Sequence, residues 1–376
     1  MNIAFDAKRA FTNNTGLGNY ARTLIQGLVA NKPNNNYYLF SPKKSPSAFL
    51  DFLNSYSNVN IILPPSTFPA LFHATWRSFV IPNSYRKLDV DIFHGLSNEL
   101  PLEFCKNKKT KKIVTIHDLI FVRYPKLYNP VDCRIYATKV KKACKSADLV
   151  LAISEQTKRD LIEFYKIPEQ KIKVAYQSCN PIFFDRPKEN ELSKFRKEFN
   201  LPGEFLLYIG TIEERKNLLG LVKAIKQSKF DIPLVIVGNK KDYFKQVMQF
   251  VADNNFSNRL IFLENISTQQ LVYLYNLAKI YISSSIFEGF GIPIIEALAS
   301  KVPVIAHKDS CFPEAGGAYT QYTDVLNSEF FSATIDKVLE DENLQKQMIE
   351  KGSEHVQKFT LDYTSNVMYN LYLELI

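Results

Sequence analysis

Two carboxylates stand eight positions apart in FEGFGIPIIEALAS: Glu288 beside glycines, and Glu296 in a run that reads as helix. Gly289 and Gly291 let backbone approach a ligand closely, and Pro293 suits the first positions of a helix. A helix N-terminus offers unpaired N–H groups and partial positive charge, a seat for phosphate or for an oxygen gaining negative charge. Two carboxylates beside such a seat cannot both serve the anion. They suit hydroxyl groups, whose hydrogen bonds they accept. A sugar nucleotide has both features. On spacing alone a second reading stays open, with Glu288 a plain loop carboxylate and Glu296 paired with a surface lysine.

A cationic pair, Arg215 and Lys216, lies beyond the strand-glycine turn of YIGTIEERKNLLG. Side by side they fit a diphosphate, arginine as a fork and lysine as a point charge; a solvated pair is the alternative. Near the N-terminus, Gly16 and Gly18 in NTGLGNYARTL make a turn into a helix whose amides suit a phosphate. With no third glycine, that turn is weak evidence for a dinucleotide fold. The strand KIVTIHD delivers His117 and Asp118 to its C-terminal end. His117 there is either a hydrogen-bonding partner for a reacting sugar or a core histidine. Asp89-Val90-Asp91 has the form of a metal-holding DxD but merely leads into the strand DIFHG. His73, His94 and His307 show no ligand spacing, so no metal site and no cofactor is expected.

Short apolar runs alternate with helix-length segments along the whole chain. Seven such runs precede residue 180: NIAFD, YYLFS, VNIILP, DIFHG, KIVTIHD, DLVLAIS and KIKVAY. Five follow it: EFLLYIGT, PLVIVGN, LIFLEN, KIYISSS and VPVIAH. Unbroken hydrophobic strands separated by helices predict parallel sheets covered on both faces, hence an α/β protein with two doubly wound, Rossmann-like domains. The proline-bearing stretch SCNPIFFDRPKENE separates the sets and marks a hinge. Open sheets of this kind bind ligands beyond the C-terminal ends of their strands, so a shared cleft is expected.

The 376 residues carry a net charge of +9, unevenly. Residues 1–180 hold 26 Lys and Arg against 13 Asp and Glu, a net of +13; residues 181–376 hold 21 against 25, a net of −4. The basic clusters Lys106 to Lys112 and Lys139 to Lys145 suggest an anionic partner, or else solvated helix faces. Neither cluster is interleaved with aromatics, which disfavours nucleic acid and leaves an anionic membrane surface. The stretch FPALFHATWRSFVIPNSYRK, with Phe68, Phe72, Trp76 and Phe79 beside Arg77, Arg86 and Lys87, reads as an apolar foot or as an ordinary packed helix. Cys105, Cys133, Cys144, Cys179 and Cys311 are scattered and never form a CxxC pair. With no leader-like segment and no membrane-length apolar run, the expectation is a cytoplasmic protein with reduced thiols.

Taken together, these stretches resemble the retaining glycosyltransferases of family 4, which have the GT-B fold, and most of all bacterial members that build surface polysaccharides, often mannosyltransferases. The family's E-x7-E element matches Glu288 and Glu296, its diphosphate-binding pair matches Arg215 and Lys216, its glycine loop matches TGLGNY, and its histidine strand matches TIHDL. FLENISTQQLVYLYNLAKIYISSS is similar to the family's nucleotide-base wall, with Ile266 at the base-reading position. The resemblance implies that Glu288 contacts the transferred sugar, Glu296 holds the ribose, and the amides of Phe290, Gly291 and Ile292 cradle sugar and phosphate. It implies transfer with retention by a front-face route, in which the leaving diphosphate helps deprotonate the acceptor. The donor implied is a nucleotide diphosphate sugar, with GDP-mannose favoured, and the acceptor a growing glycan, expected to be lipid-linked at the inner face of the membrane. The domains expected are 1–182 for the acceptor, 183–356 for the donor, and a closing helix 357–376 that returns to the N-terminal domain. The chain departs from the family at Lys301, where a small residue is usual, at Thr211 after Gly210, where arginine is common, and at Leu361, where tryptophan is usual. Alternatives are a sugar-nucleotide epimerase of the same fold and an inactive glycan-binding relative. A Rossmann oxidoreductase fits poorly, since no acidic residue ends YYLFSP.

Overall fold

The computed structural model describes residues 1–13, 15–44, 47–65, 88–101 and 109–376. The aromatic-basic stretch from Phe68 to Lys87, with His73, lies outside the described residues, as do Cys105, Lys106 and Lys108. The chain forms two compact units, Met1–Ser178 with Leu361–Ile376, and Cys179–Thr360. These divisions fall a few residues from the expected 182/183 and 356/357.

In the first unit all seven apolar runs form strands: β1 (Asn2–Asp6), β2 (Asn36–Phe40), β3 (Val59–Ile62), β4 (Ile92–Gly95), β5 (Lys111–Ile116), β6 (Leu149–Ala152) and β7 (Ile172–Val174). They pair in parallel in the order β3-β2-β1-β4-β5-β6-β7. β4 and β6 are buried along their whole length, as strands covered by helices on both faces must be. Helix α1 (Gly16–Asn31) follows β1, and helix α2 (Pro130–Ser146) packs Val140, Ala143 and Cys144 under β5 and β6.

The second unit holds β8 (Leu206–Ile209), β9 (Leu234–Val237), β10 (Leu260–Leu263), β11 (Ile280–Ser283), β12 (Val304–His307) and β13 (Gln321–Thr323). Their order is β10-β9-β8-β11-β12-β13, again all parallel. β13 was not among the runs read from the sequence. Its three residues, QYT, carry no apolar signal; pairing with β12 makes them a strand. Helix α3 (Thr268–Leu277) precedes β11, and helix α4 (Ile292–Ala299) follows it.

Strand order reverses between β1 and β4 in one sheet and between β8 and β11 in the other. Such a switch point opens a crevice at the strands' C-terminal ends, because the flanking connections diverge to opposite faces. Helix α5 (Leu361–Leu373) packs on α1 within the first unit. There Asn31 Nδ2 donates to Asp362 Oδ1 and Ser365 Oγ, both at 2.9 Å. Deeper in, Tyr372 Oη lies 2.7 Å from His94 Nδ1, and His94 Nε2 lies 2.8 Å from Thr115 Oγ1. Burial pushes His94 down to about 3, so it is a neutral core residue. No helix among the described residues is long and apolar enough to cross a membrane.

Candidate functional site

Arg215 and Lys216 end a short 3-10 turn, Glu214–Lys216, just beyond β8, and Glu288 lies just beyond β11. Because β8 and β11 are neighbours at the switch point, residues more than seventy positions apart meet there. Arg215 Nη1 is 2.8 Å from Glu288 Oε2 and donates to the Phe287 carbonyl at 2.5 Å. Lys216 Nζ stands 2.5 Å from the buried Glu288 Oε1. Two further contacts tie the segments: the Ile286 N–H donates to the Arg215 carbonyl and Ser284 Oγ donates to the Lys216 carbonyl. Burial by itself would raise the Glu288 carboxyl, but Lys216 and Arg215 overcome it and hold the group at about 2. One carboxylate therefore sits between two cations at the strand ends.

A residue that sequence reasoning missed orients this cluster. Glu213 accepts from Arg215 Nη2 at 2.9 Å through Oε1 and from Lys241 Nζ at 2.5 Å through Oε2. Its neighbours in EERK gave a charge signal, but nothing in the spacing pointed to Lys241, which follows β9.

The loop from Glu288 to Gly291 is fixed from below by the segment after β12. The Cys311 thiol donates to the carbonyl of Phe290 and lies 3.2 Å from that of Glu288. Gly291 caps α4 at φ 139°, ψ 49°, a conformation that needs glycine. Phe290 is buried against Phe359, and Ile292 is the first residue of the helix. Glu296 lies one turn into α4, where Tyr275 of α3 places its hydroxyl 3.1 Å from both Glu296 Oε2 and the Pro293 carbonyl. An edge of Glu296 reaches the surface, yet the protein packed round the carboxyl pushes it up to about 7, only partly offset by the Tyr275 hydrogen bond. The E-x7-E pair thus splits into one fully ionised carboxylate and one poised near neutrality. Ile266 is half-buried between Asn265, at φ 57°, and Ser267, which caps α3. Lys301 takes φ 58° just after α4, a conformation that glycine adopts without strain.

In the first unit, Gly16 and Gly18 open α1. A Cβ on Gly18 would come within 1.8 Å of the Asn13 carbonyl oxygen, so the loop closes on that glycine. Asn13 Oδ1 accepts from Thr15 N at 2.8 Å and from Gly18 N at 3.2 Å. The chain itself thus satisfies the Gly18 amide. His117, past the end of β5, is buried. Its Nε2 lies 2.9 Å from the Leu96 carbonyl, which only accepts, so Nε2 carries the proton and Nδ1 accepts from Gln177 Nε2 at 3.2 Å. Burial pushes His117 down to about 4. It is a neutral, doubly bonded imidazole with Tyr20 edge-on at 4.8 Å, suited to positioning rather than to proton transfer at neutral pH. Asp89 pairs with Lys109, and Asp91 accepts from the Asn2 amide, so both members of the DxD serve the start of the sheet. Among the described residues no group of three or more His, Cys, Asp or Glu converges as a metal site would.

Two parallel Rossmann-like sheets, each with its switch point, define the GT-B class, and solved glycosyltransferase structures share that architecture. A glycosyltransferase from Rickettsia africae superimposes over all of this chain and 98% of its own with TM-score 0.77 at 22% identity. Anabaena Alr3699/HepE, solved in complex with UDP-glucose, covers all of both chains with TM-score 0.78 at 17% identity. The family model "Glycosyltransferase Family 4" matches residues 14–181, and "Glycosyl transferases group 1" matches residues 189–355. The chain belongs to these glycosyltransferases. It is 26% identical to the O-antigen chain mannosyltransferase B of Escherichia coli over 75% of this chain and 74% of that one. It is 32% identical to the O-antigen chain mannosyltransferase RfbU of Salmonella typhimurium, over 54% of this chain and 53% of that one.

Proposed function

We propose that the chain moves a hexose, mannose from GDP-mannose in first place, from a nucleotide diphosphate sugar to a growing, lipid-linked surface polysaccharide. Transfer proceeds with retention, in the cytoplasm at the inner face of the membrane, and needs no metal. One observation carries this reading: Arg215 and Lys216 meet Glu288 at the switch point of the second unit. Cations there neutralise a diphosphate as it departs. The Glu288 carboxylate, held ionised between these cations, accepts from a sugar hydroxyl. Charges fixed in a water-poor site stabilise a developing anion without reorganising, which is where most catalytic advantage of this kind arises. Glu296, poised near neutrality, faces the ribose, Ile266 the base, and the amides of Phe290, Gly291 and Ile292 the phosphates. Gly16, Gly18 and His117 serve the sugar and acceptor on the first unit, His117 as a neutral hydrogen-bonding group. The mannosyltransferase names of the relatives support mannose and an O-antigen-type polysaccharide.

The test is a thermal-shift panel of nucleotide sugars, since a ligand that binds only the folded state raises its melting temperature. Transfer from the best donor is then followed with EDTA present and the product's anomeric configuration assigned by NMR. No shift with any nucleotide sugar sinks the reading; inversion, or loss of transfer in EDTA, removes the corresponding part. Epimerised donor in the absence of acceptor would favour the epimerase.

A further inference from the structure

Tyr275 and Glu296 form a pair whose hydrogens can be counted. Tyr275 Oη lies 3.1 Å from Glu296 Oε2 and 3.1 Å from the Pro293 carbonyl. Its ring packs edge-to-face with those of Phe183 and Tyr281, at 5.7 and 5.6 Å. A phenol has one proton to give, and a carbonyl only accepts. Burial holds Tyr275 well above its ordinary value, so the phenol keeps that proton. Two arrangements of hydrogens therefore satisfy the site. With Glu296 ionised, Tyr275 donates to Oε2. With Glu296 protonated on Oε2, the carboxyl donates to Tyr275 Oη, and the phenol turns its own hydrogen to the Pro293 carbonyl. Neither arrangement requires a heavy atom to move.

Among the described residues no cation lies against this carboxyl to fix its charge. Besides Tyr275 it interacts with Tyr281 and the Cys179 thiol, and burial raises both, so they stay neutral. The charged groups on other elements packed against α4 are engaged elsewhere. Arg186 donates to the carbonyls of Ala299 and Ser300, Glu288 is held by Arg215 and Lys216, and Glu314, His355 and Lys358 interact with one another. The carboxyl's value of about 7 follows from burial without a cation. We infer that Tyr275 is a positioning residue that lets Glu296 bind a nucleotide's ribose as the anion and release a proton as it does so. An ionised carboxylate accepts a hydroxyl's hydrogen bond more strongly than a protonated one. Ligand entry breaks the carboxyl O–H bond and the proton leaves to solvent. The phenol hydrogen swings from the Pro293 carbonyl to Oε2, leaving Oε1 for the ribose. This rests on the reading of Glu296 as the ribose contact, and adds that donor affinity rises with pH through neutrality.

Calorimetric titration of the full chain with GDP-mannose and with UDP-glucose tests it, in buffers of different ionisation enthalpy, which count the protons exchanged on binding. The phosphates of these probes are diesters and do not titrate near neutrality. At pH 7 the wild type should release about half a proton, since about half of Glu296 is protonated there, and Kd should fall as pH rises from 6 to 8. Tyr275→Phe keeps the ring and removes the hydroxyl. The ionised form loses the stronger hydrogen bond, so Glu296 holds its proton more firmly. That variant should bind ~3–10-fold more weakly at pH 7 and approach wild type at pH 9. Glu296→Gln has no proton to lose, so it should release none and bind equally at pH 6 and 8. Circular dichroism checks folding, and the wild-type and Glu296→Gln titrations decide the proton release whether or not Tyr275→Phe folds. Wild-type binding without proton release, a flat wild-type pH profile, or a Tyr275→Phe deficit of the same size at every pH each overturns the proposal. The carboxyl is also followed without ligand by carbon-13 NMR, its resonance assigned through Glu296→Gln. A midpoint that rises in Tyr275→Phe supports the proposal, and one left unmoved overturns it. If neither probe binds while that midpoint rises, the donor reading fails and the Tyr275–Glu296 pair stands.

Discussion

Replacing Glu288 by glutamine keeps the shape of the side chain and removes its charge, taking away the carboxylate that faces both Lys216 and Arg215, while Glu213 still faces Arg215. Both cations are enclosed, at 12% and 17% side-chain exposure, as is Glu288 at 17%. The carboxyl falls from its ordinary 4.5 to about 2 in the folded chain. At ~1.4 kcal/mol per pH unit, that is worth up to ~3 kcal/mol of stability at neutral pH. Because the folded value is the lower one, this contribution is complete above pH 4.5 and disappears as pH falls through 4.5 toward 2. Glu288→Gln should therefore lower the melting temperature of the second unit by ~5–10 °C at pH 7, and the variant should lack that part of the acid transition. A nucleoside diphosphate should restore more stability to the variant than to wild type, because it finds cations that no carboxylate already holds. At a hundred times its Kd such a ligand contributes ~2.7 kcal/mol. Calorimetry of both proteins with and without GDP and UDP, at neutral and acid pH, decides the matter. A variant melting within ~1 °C of wild type, or one that gains less from the diphosphate, would refute the charge balance drawn here.

Glu296→Gln should act in the opposite pH direction. Its carboxyl is raised to about 7, so the stability it brings is complete below 4.5 and lost as pH rises through 7. The glutamine variant should thus lose up to ~3 kcal/mol less than wild type on going from acid to mildly alkaline pH, read by melting temperature across that range. Lys216→Ala should lower transfer ~10²–10³-fold with the fold intact, and near-wild-type turnover would place the diphosphate elsewhere. Gly18→Ala should cost ~1–3 kcal/mol through its clash with the Asn13 carbonyl, whereas Gly16→Ala meets nothing within 4 Å and should be close to neutral. Equal melting temperatures for those two variants would show that the loop is not closed on Gly18.

Much of this protein was legible in its sequence. Unbroken apolar runs such as LVIV and LVLA are buried on both faces wherever they pair, so their composition alone required parallel, helix-covered strands. Glycine at 291 and proline at 293 fixed where α4 begins, because backbone conformation at these residues is a local property. Other features came only from the tertiary structure. β13 is a strand because β12 lies beside it. Glu213, Lys241, Tyr275, Cys311 and Gln177 gained their parts from partners distant in the chain. His117 could be read as a ligand or, more commonly for a lone histidine, as a core residue until Leu96 and Gln177 were seen to take both ring nitrogens. The two glutamates, alike in the sequence, separate to about 2 and about 7 because one has two cations against it and the other only a phenol. Ionisation depends on burial and on charges within a few ångströms, and three-dimensional folding, not order along the chain, decides which charges those are.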